Sequence, residues 1–88
     1  HLDRLALQLS RSPLEPRALT ALLSAYQRFT SLGIETNTWR CQMVLTQLAE
    51  RHYAARHKHA EAGDELAKQW IAAFDEASAL LHVARPLS

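Results

Sequence analysis

The chain contains one cysteine, Cys41, so no internal disulfide can form. A lone thiol fits a reducing compartment. Only two glycines and three prolines occur in 88 residues, which leaves long stretches free of helix breakers. Charge of one sign is missing as well: ten basic and nine acidic residues give a net +1. That balance speaks against a dedicated nucleic-acid binder, whose basic residues gather on one face or stripe. No apolar run approaches the roughly 18 residues of a membrane span, and no signal-peptide pattern is visible.

What remains is an apolar fraction of 48%, normal for a globular fold and too high for disorder. The length fits a single domain, expected over residues 1–88 with its core at about 2–84. The chain opens on His1 without a methionine and is expected to be a piece of a longer protein. A domain this small buries a thin core.

Hydrophobic spacing is helical throughout. Leu2, Leu5, Ala6 and Leu9 form one stripe and predict a first helix from about Leu2 to Arg11. Ser12, Pro13 and Glu15 then read as a cap, a first-turn proline and the closing member of a capping box, although Pro16 allows a start as late as Glu15. Leu19, Leu22, Leu23, Tyr26 and Phe29 face the core of the second helix. Gly33 is its expected left-handed stop, closed by Ile34. Thr36, Asn37 and Thr38 offer caps for a third helix with the stripe Cys41, Val44, Leu45, Leu48 and His52. Trp39 and Met43 flank that stripe. Gly63 stops this helix, and Asp64 caps a fourth that carries Leu66, Trp70, Ala73, Phe74, Ala77, Leu80 and Leu81. Arg85 and Pro86 end it. The expected fold is all-α, a compact four- to five-helix bundle. Its core is Leu5, Leu9, Leu19, Leu22, Leu23, Val44, Leu45, Leu48, Leu66, Trp70 and Phe74.

Chemistry-bearing residues are present but poorly spaced. A zinc site needs three or four converging ligands. His52 and His59 share a helix face while His57 points elsewhere, and only His57 and Glu61 have i,i+4 spacing. Solvated histidines near a helix C-terminus, where positive charge suits the dipole, are the plainer reading. Cys41 and His52 lie eleven residues apart, roughly 16 Å along a helix, too far for thiolate activation. Cys41 reads as a small core residue. Asp64–Glu65 and Asp75–Glu76 are adjacent pairs that point to different faces, and the glycines stop helices without forming a phosphate loop. The basic run Arg51, Arg56, His57, Lys58 and His59 has only Tyr53 nearby for base stacking, so a solvated helix end is favoured. No enzyme, metal site or cofactor is therefore expected. Tyr53 itself has two readings, closing the core or presenting a rigid aromatic anchor to a partner.

The stretch Leu48, Ala49, Glu50, Arg51, His52 and the stretch Leu66, Ala67, Lys68, Gln69, Trp70 carry a resemblance. Their order and placement resemble the N-terminal domain of transcription elongation factor S-II, shared with elongin A and Mediator subunits. The related integrase-binding domain of the lens-epithelium growth factor has a similar layout. In the S-II group the third helix ends in a Leu-Arg-Lys-His stretch, and the last carries Leu-Val, two residues, then Trp. The resemblance spans about Leu2 to Phe74. It implies a scaffold in transcription elongation, nuclear and non-enzymatic, that binds short disordered peptides bearing hydrophobic or aromatic residues. In the integrase-binding relative, two interhelical loops form the pocket. By position, the resemblance assigns Leu14 and Glu15 to the first loop, and Tyr53 and Ala54 to the second. Glu15 has a rival role in the capping box.

Two other functions stay open. The stripe of the last helix, extended through Leu80, Leu81 and Val83, could join copies of the chain or pack into a larger assembly. A weaker alternative is nucleic-acid binding through Arg51 to His59.

Overall fold

The computed structural model describes Arg4, Leu7, Arg11 and residues 14–83. The first expected helix lies outside the described residues, apart from Arg4, Leu7 and Arg11, which are helical. So do Ser12, Pro13, Arg85 and Pro86. The described residues are all-α and contain no strand. They form α1 (Pro16–Leu32), α2 (Glu35–Leu48), a π-turn (Ala49–Tyr53), α3 (Ala54–Glu61) and α4 (Glu65–Leu81). Backbone angles stay helical from Leu48 through Ala54, so α2, the π-turn and α3 make one rod. Three rods thus replace the expected four or five helices among the described residues. The radius of gyration is 12.5 Å, against roughly 12 Å for a compact chain of this length. No described helix is long and apolar enough to cross a membrane.

Pro16 sets the start of α1. Its ring disfavours helical angles at the preceding residue, and Glu15 is extended at φ −88°, ψ 125°. Glu15 is therefore the N-cap itself and makes no side-chain capping bond. A helix begun at Pro13 with Glu15 inside it is ruled out on the same ground. Pro16 takes the first helical position, where a missing N–H costs nothing.

One device makes both turns between rods. Gly33 is left-handed at φ 72°, and its N–H donates to the Thr30 carbonyl while that of Ile34 donates to Phe29 at 2.9 Å. Gly63, at φ 101°, repeats it: its own N–H donates to Ala60 and that of Asp64 to His59. Both are Schellman motifs, which satisfy the orphan carbonyls of a helix end. In each case the closing residue also starts the next helix. Ile34 does so without a side-chain cap, so Thr36, Asn37 and Thr38 fall inside the first turn of α2 and are not its caps. The Thr38 hydroxyl instead donates to the Glu35 carbonyl at 2.7 Å. Asp64 caps α4 as expected, its Oδ1 accepting from Leu66 N at 3.0 Å and Ala67 N at 3.3 Å. Replacing Asp64 with alanine should cost about 1 kcal/mol. Thermal melting should then fall by about 4–8 °C; an unchanged midpoint would remove Asp64 from the stabilising set.

The π-turn decides which residues of the second rod face inward. Cys41, Leu45, Leu48, Ala49 and Tyr53 are buried, and His52 is only half-buried. Twelve residues separate Cys41 from Tyr53, and at about 100° per residue Tyr53 would sit about 120° off that face in an unbroken α-helix. The i→i+5 turn accommodates one extra residue and brings the face back into phase. Tyr53 consequently replaces His52 in the expected stripe.

Helix α4 packs on both α1 and α3, with a slighter contact to α2. Its buried residues are Ala67, Trp70, Phe74, Ala77, Ser78 and Leu81. Trp70 and Phe74 stack with ring centroids 5.2 Å apart, and Tyr53 meets Phe74 at 5.0 Å. Of the expected core, Leu19, Leu22, Leu45, Leu48, Trp70 and Phe74 are buried, whereas Leu23 and Val44 are half-buried. Leu5 and Leu9 lie outside the described residues. Leu66 is a correction: it is 58% exposed, and its neighbour Ala67 faces the core. The helix also ends earlier than Arg85. His82 adopts a left-handed φ of 58°, and the Val83 N–H closes back on Ser78. The Gln42 side chain reaches from α2 and donates to the Leu81 carbonyl at 2.8 Å, occupying one of the orphan acceptors.

Candidate partner-binding groove

The four residues assigned to two loops occupy different settings. Leu14 is half-buried in the turn before α1, and Glu15 is exposed beside it. Tyr53 and Ala54 lie in the middle of the continuous rod, which corrects their placement in an interhelical loop. Ala54 is exposed there. Tyr53 is buried, with its ring against Phe74 and stacked on His57 at 5.8 Å. Of its two sequence readings, the geometry matches closure of the core.

The polar candidates are dispersed. Burial pushes the Cys41 thiol above its usual range, against a smaller opposing pull from Arg40. A raised thiol is a poor nucleophile. His52 is shifted down, first by burial and further by the positive charges of Arg51 and Arg56. His57 Nδ1 and Glu61 Oε1 are 3.4 Å apart on the surface of α3. Among the described residues, no three His, Cys, Asp or Glu side chains gather where a metal ion could be held. Arg51, Lys58 and His59 are exposed along the rod.

A different surface stands out. The face of α1 turned away from Leu19 and Leu22 carries Ala21, Ser24, Arg28 and Leu32, with Ala25 at its edge also packed against the core. With Phe29, Ile34 and Asn37 it lines a groove of about 700 Å³ at the corner between α1 and α2. The Schellman turn builds this corner by holding Leu32 and Ile34 on either side of Gly33. Leu32 is 65% exposed and Ile34 37%. Uncovered apolar surface of this kind forgoes about 25 cal/mol for each Å² left in water. Grooves lined by apolar side chains with a few polar groups are the usual form of a binding site. Arg28 is the charged residue of the lining, one turn before Leu32, and has no ion pair among the described residues.

Sequence reasoning missed this surface because Ala21, Ser24 and Ala25 are small and Arg28 and Leu32 fall off the main apolar stripe. The strong stripe through Leu19, Leu22 and Phe29 assigns the buried face of α1 and makes the rest look solvated. The available signal was a second stripe, Ala21, Ala25, Arg28 and Leu32, at helical spacing on another face. Ile34 had a role only as a helix stop.

Comparison with known proteins gives no match: no family model, curated protein or solved structure is significantly similar to the chain. The likeness to the S-II group therefore rests on Leu48–His52 and Leu66–Trp70 as they stand in the sequence.

Proposed function

We propose that this chain is a non-enzymatic protein-interaction module that takes a short apolar segment of another protein into the α1–α2 groove. The observation that supports this most is the pair Leu32 and Ile34, exposed on either side of the Gly33 turn and lining a groove of about 700 Å³. Burial of the Cys41 thiol supports the non-enzymatic part. The site differs from the loops named by the resemblance, since Tyr53 belongs to the core and Leu14 is half-buried. A role as a nuclear scaffold in transcription elongation belongs to this proposal only through the Leu48–His52 and Leu66–Trp70 likeness. Self-association is the competing reading and has its own surface, Leu80 at 43% exposed, whereas Leu81 is buried.

The test is a selection of displayed 16-residue random peptides against the chain. Selected peptides should bind Leu32→Asp at least about tenfold more weakly, a loss of about 1.4 kcal/mol. Leu80→Asp should bind them unchanged. Equal binding to wild type and Leu32→Asp, with both folded by circular dichroism, removes the groove from the reading.

A further inference from the structure

We infer that the occupant of the groove is an amphipathic helix that carries a carboxylate opposite Arg28; this rests on the groove being the binding site.

Three features fix the chemistry. The first is shape. From Ala21 to Leu32 the lining follows α1 for eleven residues, roughly 16 Å or about three turns. Ala21, Ser24 and Ala25 at one end lack bulk, so a second helix backbone can approach α1 closely. Leu32 and Ile34 at the other end offer an apolar shelf for a large side chain. An extended strand has no sheet edge to join among the described residues. A helix laid in a groove with anchors at i, i+3, i+4 and i+7 needs none.

The second feature is charge. No acidic residue occurs between Glu15 and Glu35, while Arg17 and Arg28 lie in that interval. Arg28 is exposed and without an ion pair among the described residues, and it sits between the small-residue end and the apolar shelf. A carboxylate near the middle of the incoming helix would meet a guanidinium able to grip both its oxygens. A lysine at that position would face like charge. The third feature is Asn37, which lines the groove from α2 and carries a side-chain amide. It can donate to the free carbonyls at the end of a docked helix.

The peptides selected above decide the matter without a guess at the natural partner. Enriched sequences should be helical in pattern, with apolar residues at i, i+4 and i+7 and an Asp or Glu at one fixed offset. Changing that acid to lysine should weaken binding to wild type by about two- to fivefold, the range of an exposed ion pair. The Arg28→Glu variant should reverse the order, favouring the lysine peptide. The preference should also shrink as salt is raised. Peptides that need Leu32 but show no preferred charge and no reversal at Arg28→Glu overturn this inference and leave the groove standing. Selected peptides indifferent to Leu32→Asp, or no enrichment at all, remove both.

Discussion

Trp70→Ala should unfold this domain or bring it close to unfolding. The indole is completely buried, stacked on Phe74 with an angle of 19° between the rings. It lies on α4, the helix that packs on both other rods. Removing a large aromatic from such a position costs about 3–5 kcal/mol, through lost transfer energy and the cavity left behind. A domain of this length has only about 4–13 kcal/mol to lose, at 0.05–0.15 kcal/mol per residue. The molecule carries its own control in Trp39, which is 59% exposed on α2. Trp39→Ala should stay within about 0.5 kcal/mol of wild type, as surface changes do. Urea unfolding followed by far-UV circular dichroism compares the two on the same chain. If Trp39→Ala proves the more damaging substitution, the inward face of α4 has been assigned wrongly.

The two tryptophans also mark the limit of what the sequence makes legible. Trp70 falls on a clean stripe with Phe74 and Ala77, and all three are buried. Gly33, Gly63 and Asp64 act where their chemistry says they should, because a left-handed stop and a carboxylate cap are local properties. Leu66 fits the same stripe and yet is exposed. It lies in the first turn of α4, where periodicity cannot tell whether a neighbouring helix reaches that far. The end of α4 is hidden for a related reason: His82 takes a left-handed φ, uncommon for any residue but glycine, which the apolar spacing does not announce. The groove is illegible because alanine and serine carry no hydrophobic signature, and the space they leave depends on where α2 turns away. The resemblance to the S-II group selected loops by order along the chain. That order puts Tyr53 at a helix end, whereas the rod runs on for another eight residues to Glu61.

Tyr53 and His52 exchange roles through the π-turn, and single-residue deletions test that exchange. Deleting one residue from an α-helix turns everything beyond it by about 100° and draws it in by about 1.5 Å. In α2, deleting exposed Met43 should therefore swing Leu45, Leu48 and Ala49 off the core relative to Cys41. Each buried leucine displaced costs about 2–5 kcal/mol, so the domain should not fold. Deleting exposed Arg51 should behave in the opposite way. The π-turn already holds one residue more than a regular helix needs. Without Arg51, eleven positions separate Cys41 from Tyr53, which leaves the ring about 20° from the Cys41 bearing in a plain α-helix. Tyr53 then keeps its place against Phe74, and the rod gains regular i→i+4 hydrogen bonds. Thermal melting of the Arg51 deletion should remain within about 8 °C of wild type, corresponding to about 1 kcal/mol. Near-UV circular dichroism should retain the signal of packed aromatic rings. A deletion at Arg51 as destructive as one at Met43 would mean that the wide turn is held by contacts of its own and that its extra residue is not one the rod can lose.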